Sequence, residues 1–232
     1  MLEIRNLEAF YGAVPALFGI DLTVREGEVL SLMGRNGMGK TTTVRAIMGL
    51  VQRKGEVRFE GADLTGVATA RIAQRGIGVV PEGRRIFPNL SVVENLAVVA
   101  ANRRGASHPW TTEKVLDLFP GLRQRKNSMG AVLSGGEQQM LTVGRALMTN
   151  PRLLILDEAT EGLAPLIREQ IWRAISALKS KGQSIIIIDK HLDQIAKIAD
   201  LTIVLERGRV AWQGDRHLLA NERETVTGLI GV

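Results

Sequence analysis

Hydrophobic positions along this chain follow three patterns. In residues 1 to about 30 they alternate with polar ones, as at Ile20, Leu22 and Val24, and Val57-Arg58-Phe59 repeats the alternation. A period of two turns one face to a core and the other to water, so these stretches predict strands. Elsewhere the apolar residues are continuous: Leu153-Leu154-Ile155-Leu156 leaves no solvent face and predicts a buried central strand. Val29-Leu30-Ser31-Leu32-Met33, Gly76 to Val80, Ser184 to Asp189 and Leu201 to Glu206 predict further strands.

Between about residues 86 and 149 the period becomes helical. Ser91 with Glu94 forms a capping box ahead of Leu96, Val99 and Ala100, and Thr112 to Phe119 continues the trend. Ser134 opens another helix, with Glu137 three positions on and then Met140, Leu141, Val143, Ala146 and Leu147. By itself this start is a capping box and no more. The stretch from Arg104 to Thr111, with Gly105, Ser107 and Pro109, reads as the most mobile loop. No internal repeat or low-complexity tract appears. The pattern predicts one domain over 1–232, with a core of about 1–85 and 150–232 and a helical subdomain of about 86–149.

Composition narrows the class. A chain of 232 residues with 45% hydrophobic content can bury a sizeable single core. Cysteine is absent, which excludes disulfides and thiolate metal sites and suits a reducing compartment. No apolar run is long enough to span a bilayer, and Met1-Leu2-Glu3-Ile4-Arg5 has no signal core, so no export is expected. With the chain ending soon after Leu229, no added regulatory domain is expected. The net charge of +6 is scattered, in short clusters such as Arg84-Arg85, Arg103-Arg104 and Arg123 to Lys126, and aromatic residues make up only 4%. With no stacking platform and no long basic tract, a nucleic-acid partner is not expected; the charge reads as solvated surface, weakly attracted to an anionic leaflet.

Candidate chemistry begins after the strand ending at Met33. Gly34-Arg35-Asn36-Gly37-Met38-Gly39-Lys40-Thr41 fits G-x-x-x-x-G-K-[ST] between that strand and a helix-like stretch from Thr41 to Gly49. Glycines 34, 37 and 39 let backbone N–H groups turn inward on phosphate oxygens, and the helix directs its positive end at the same charge. Lys40 would reach the β- and γ-phosphates, and the Thr41 hydroxyl would ligate Mg²⁺. At the carboxyl end of the buried strand, where ligands bind in open parallel sheets, stand Asp157 and Glu158. Asp157 would hold Mg²⁺ through water, and Glu158 would act as general base on the attacking water.

With Leu133-Ser134-Gly135-Gly136-Glu137-Gln138-Gln139 between them, these two motifs resemble the ATP-binding cassette (ABC) ATPases. The resemblance implies an α/β cassette of P-loop NTPase type: a mainly parallel core sheet, an antiparallel β flank and a helical subdomain. It implies ATP and Mg²⁺ as ligands, Thr42 as a further phosphate contact, and Tyr11 as a ring stacked on adenine. Ser134, Gly135, Gly136 and Glu137 would face the γ-phosphate held by a partner subunit, so a second cassette is required, identical or related. Pro81-Glu82-Gly83-Arg84 occupies the segment that usually carries a Gln touching Mg²⁺; Glu82 stands there instead. That variant, with Glu161-Gly162-Leu163-Ala164-Pro165, is similar to the ATPases of branched-chain amino-acid importers. Transmembrane permease subunits, an external solute-binding protein and a peripheral position on the cytoplasmic membrane face are implied with it. Cassettes for urea, amides or lipid export, and soluble cofactor-assembly or repair ATPases, are the alternatives.

The family's switch histidine falls, by spacing to Asp200, on Lys190, with His191 one place later. An ammonium can donate a charge-assisted bond to phosphate, so Lys190 is the expected residue and His191 the alternative.

Overall fold

The computed structural model describes residues 1–231. The alternating N-terminal stretch forms β1 (Leu2–Tyr11) and β2 (Val14–Val24), an antiparallel pair that buries Leu2, Ile4 and Leu7 opposite Val24, Leu22 and Ile20. The chain then enters β3 (Val29–Met33), passes the glycine-rich loop and starts α1 (Lys40–Ile47). It returns to the flank as β4 (Gln52–Phe59) and the two-residue β5 (Ala62–Asp63), completing an antiparallel sheet in the order β2-β1-β4-β5. Helix α2 (Thr69–Gln74) leads to β6 (Ile77–Val80).

The helical stretch contributes α3 (Val92–Ala97), α4 (Thr112–Leu118), α5 (Pro120–Gln124) and α6 (Gly135–Leu147). Both predicted capping boxes form, at Ser91 with Glu94 and at Ser134 with Glu137. The chain finishes with β7 (Leu153–Asp157), α7 (Pro165–Ser180), β8 (Ser184–Ile188), α8 (Leu192–Ile198), β9 (Leu201–Glu206), β10 (Arg209–Asp215), α9 (Arg216–Asn221) and α10 (Arg223–Ile230).

The central sheet runs β10-β9-β3-β8-β7-β6, parallel except for β10 at its edge. Strands β3, β7 and β8 are buried at every position. Their side chains divide by pleat: Leu153, Ile155, Ile186 and Ile188 pack with the antiparallel flank and α1. Leu154, Leu156, Ile185 and Ile187 pack on the other face with the helices. Val92, Leu96, Val115, Phe119, Met140 and Leu147 of the helical stretch join this second cluster, so the helices share their apolar packing with the sheet.

Element ends differ slightly from expectation, each for a local reason. Strand β8 stops at Ile188, because the Asp189 carboxylate turns back to accept from the His191 backbone N–H at 3.0 Å. Helix α4 stops at Leu118, where Phe119 leaves the helical region and Pro120 starts the next helix. The loop expected to be mobile is fastened at both ends: Arg104 pairs with Glu60 at 2.5 Å, and the Trp110 N–H donates to Asn150 Oδ1 at 2.6 Å.

Asn95, which no sequence pattern singles out, organises the turn into α3. Fully buried, it accepts from the Phe87 N–H at 2.9 Å and donates to the carbonyls of Phe87, Leu90 and Ser91 at 2.9–3.0 Å. Asn95→Ala strands these groups away from water and is expected to cost about 2–3 kcal/mol, a loss readable in urea unfolding. An unchanged midpoint would show that water reaches the turn.

Candidate active site

The phosphate loop takes its shape from backbone that only glycine tolerates. Gly34 has φ +137°, and a side chain there would collide with the Leu205 carbonyl; Gly39 has φ +107°, and its Cβ would lie 2.7 Å from Leu17. Lys40 follows at the start of α1 and is almost fully buried. Its ammonium folds back onto the loop, donating to the carbonyls of Gly34 at 2.9 Å and Arg35 at 3.1 Å, and lies 3.6 Å from Glu158 Oε1.

Strand order brings the acids to this loop. Strand β7 lies one strand away from β3, across β8, so the carboxyl ends of all three open on one edge. There the Thr41 hydroxyl donates to Asp157 Oδ1 at 3.2 Å, tying α1 to β7. Burial pushes the Asp157 carboxyl up, with the Thr41 bond opposing and the nearby Glu82 charge adding to the rise. Glu158 turns out of the strand at φ +53°, a left-handed conformation unusual for a residue with a side chain. Burial, then a hydrogen bond to Glu161, raise its carboxyl to about 7 against the pull of Lys40. Glu161 is held below its ordinary value by the bonds it accepts from Glu158 and Lys190.

These groups enclose a cavity of about 280 Å³. Gly34, Arg35, Asn36 and Lys40 line one side; Glu158, Glu161, Asp189, Lys190 and His191 line the other. An adjoining cleft of about 260 Å³ is bounded by Asn36, Gly37, Gly39, Lys40, Thr41, Thr42, Glu82 and Glu158. Most of the residues named from sequence for phosphate, metal or chemistry therefore meet in one place. Met38 points elsewhere, its sulfur 3.1 Å from the Arg207 backbone nitrogen and its side chain against the flank core. Tyr11 is 42% exposed at the cleft's rim, its hydroxyl 3.3 Å from Thr42 Oγ1 and accepting from Arg45 at 3.1 Å.

Ser134, Gly135, Gly136 and Glu137 line neither cavity. Glu137 accepts from the Ser134 N–H at 2.7 Å, Gly135 lies beneath the Arg84 guanidinium, and Gly136 packs on Ile167. At the end of β8 the two candidate residues part company. Lys190 donates to Glu161 Oε1 at 3.0 Å. His191 is held by its Nδ1, 2.5 Å from the buried Asp189 carboxylate, and its Nε2 stands 2.8 Å from Arg168 Nη1. Sequence reading gave no role at the site to Asp189 or Arg45, which belong to no spaced motif, and noted Glu161 only as the first residue of the Glu161-Gly162-Leu163-Ala164-Pro165 stretch.

An ammonium, a glycine-shaped loop, a hydroxyl and several carboxylates in one cleft suit a polyphosphate and its counter-ion. Among the described residues no three His, Asp or Glu side chains gather closely enough to hold a metal ion alone. Thr41 and Asp157 with Glu82 nearby instead fit an ion such as Mg²⁺, which takes few protein oxygens and completes its shell with phosphate and water.

Known proteins agree with this geometry. Residues 17–161 match the family described as ABC transporter. The high-affinity branched-chain amino acid transport ATP-binding protein BraG of Pseudomonas aeruginosa is 41% identical over 211 residues, 90% of this chain and 91% of that protein. The lipopolysaccharide export ATP-binding protein LptB of Haemophilus influenzae is 30% identical, over 100% of this chain and 97% of its own length. Among solved structures, the ADP conformation of the cassette MJ1267 superposes with a TM-score of 0.84 at 27% identity, covering 100% of this chain and 97% of that one. The chain belongs to the ABC transporter family, as one of its ATP-binding, ATP-hydrolysing cassettes.

Proposed function

We propose that ATP hydrolysis by this cassette drives uptake of branched-chain amino acids through membrane subunits contributed by other chains. The likeness to BraG, 41% over nearly the whole chain, is the observation that carries this reading. The cassette supplies energy and holds no route for a solute: no helix among the described residues is long and apolar enough to cross a membrane. It would therefore sit peripherally on permease subunits, on the face where ATP is available, with an external solute-binding protein completing the system.

In this reading the triphosphate seats on the loop from Gly34 to Gly39, and Lys40 exchanges the Gly34 and Arg35 carbonyls for β- and γ-phosphate oxygens. Arg35, Asn36 and Met38 contribute through their backbone, and Thr42 adds a hydroxyl. The Tyr11 ring, steadied by Thr42 and Arg45, stacks on the adenine. Mg²⁺ would be held by Thr41, Asp157 and Glu82 and would supply neutralisation of the phosphate charge. Glu158 takes the proton of the attacking water, which requires the carboxyl to be ionised when ATP is bound. Lys190 gives the γ-phosphate a further donor. Ser134, Gly135, Gly136 and Glu137 lie apart from the chain's own phosphate cleft, which supports their serving the ATP of a second cassette across a dimer.

Reconstitution with permease and binding-protein partners tests the whole reading. Leucine uptake should depend on ATP and be lost in Glu158→Gln, which keeps ATP binding and accumulates as an ATP-bound dimer because an amide accepts no proton. ATP-dependent lipid release without leucine uptake would transfer the protein to an export system of the LptB kind.

A second expectation concerns pH in the nucleotide-free protein. The Glu158 carboxyl is raised in the folded state, so folding favours its neutral form; the stability this gives is full below about pH 4.5, is lost as pH rises from about 4.5 to about 7, and changes no further above that. Glu158→Gln, neutral throughout, should raise the melting temperature at pH 8 by roughly 2–4 °C and change it much less at pH 5, the side chain keeping some solvent contact. A shift of equal size at both pH values would contradict the raised carboxyl.

A third expectation separates the strand-end residues. Lys190→Ala should lower ATP turnover about tenfold with little effect on ADP affinity, since the lost bond belongs to the phosphate that ADP lacks. His191→Ala, whose ring is engaged by Asp189 and Arg168, should be the milder change; the reverse order would assign the phosphate contact to His191.

A further inference from the structure

We propose that Glu161 is a positioning residue for hydrolysis, a bracket that aims both the Glu158 carboxyl and the Lys190 ammonium into the phosphate cavity. The inference rests on the reading of Glu158 as base. Glu161 joins the two groups on which that reading depends, although they come from different elements: Glu158 follows β7, and Lys190 follows β8. Its Oε1 accepts from Lys190 Nζ at 3.0 Å, and its carboxylate lines the same cavity as the Glu158 carboxyl. Its own backbone N–H donates to the Glu158 carbonyl at 3.2 Å, closing the turn that holds Glu158 at φ +53°. All three side chains line the same cavity as Lys40.

Electrostatics gives this arrangement its logic. Two carboxyls side by side repel when both are ionised, and the two ammonium groups flanking them, Lys40 at 3.6 Å from Glu158 and Lys190 at 3.0 Å from Glu161, counter that repulsion. The order across the cavity is Lys40, Glu158, Glu161, Lys190. In this reading a γ-phosphate bound by Lys40 would meet Lys190 held by one of its three N–H bonds, leaving the other two to donate. The Lys190–Glu161 pair is half exposed, with side-chain exposures of 59% and 44%, and such pairs contribute little to folding. A purely structural role therefore predicts almost nothing on removal, whereas a positioning role predicts a loss confined to the chemical step.

The test is steady-state ATP hydrolysis by the full chain with Mg²⁺, alongside ADP binding and thermal melting. Glu161→Ala should lower kcat about tenfold while KM for ATP and the Kd for ADP stay within about twofold and the melting temperature holds. Glu161→Gln, which still accepts from Lys190 and offers an N–H to Glu158, should recover at least half of the parental kcat. Glu161→Ala combined with Lys190→Ala should be no more than about twofold slower than the slower single variant, because both act through one bracket. Parental kcat in Glu161→Ala, with Glu158→Gln inactive, would overturn the inference and leave the base assignment standing. Parental kcat in Glu158→Gln would instead remove the base assignment, and the bracket with it. Full additivity in the double variant would show that Lys190 works independently of Glu161 and would also overturn the proposal.

Discussion

The structure depends on three strands that have no solvent face. Because β3, β8 and β7 are buried along both sides, their backbones can meet water only at their ends, and all three carboxyl ends lie on one edge of the sheet. Most of the groups assigned to phosphate or to chemistry follow from that. The glycine loop leaves β3, Asp157 and Glu158 close β7, and Asp189, Lys190 and His191 follow β8. Polar residues collect here because it is the one edge where the interior of the sheet can be both rigid and wet.

Rigidity comes with an electrostatic cost that the nucleotide-free protein partly offsets internally. Lys40 is almost wholly buried and satisfied by loop carbonyls, Asp157 by the Thr41 hydroxyl, and Glu158 lies 3.6 Å from the Lys40 ammonium. Each partner is one that a nucleotide and its ion can replace with a stronger one, so the free site is held in readiness by bonds weaker than those it would make. The left-handed backbone at Glu158 belongs to the same account, since such a conformation persists only where surrounding structure enforces it. Here the enforcement is the turn closed by the Glu161 N–H.

The start of α6 stands outside this cleft and has its own arrangement. Its capping box spends the Ser134 hydroxyl and the Glu137 carboxylate on each other's backbone N–H groups, while Gly135 and Gly136 keep side chains away from the helix end. The Arg84 guanidinium over Gly135 adds positive charge where the helix already presents it, on the segment that also carries Glu82. It also links the Glu82 segment physically to this helix start.

The sequence alone determined the elements whose cause is local. Alternation specified the flank, unbroken apolar runs specified β7 and β8, reciprocal Ser and Glu specified two helix starts, and the glycine spacing specified the phosphate loop; each is a constraint felt over a few residues. The parallel core and its antiparallel flank were legible through resemblance, since sheet order is not written in any one segment. What only the tertiary structure decided are pairings between distant positions. Asn95 as the organiser of Phe87 to Ser91, Asp189 as the holder of His191, the anchoring of Arg104 by Glu60, and Glu161 as the shared partner of Glu158 and Lys190 depend on where side chains point after the strands have taken their register. A shift of one residue in β8 would carry Asp189, Lys190 and His191 out of their present places at the cavity, and no local pattern resists that shift. The packing of the strand's other side chains on both faces of the sheet does, which is why the choice of site partners belongs to the fold rather than to the motif.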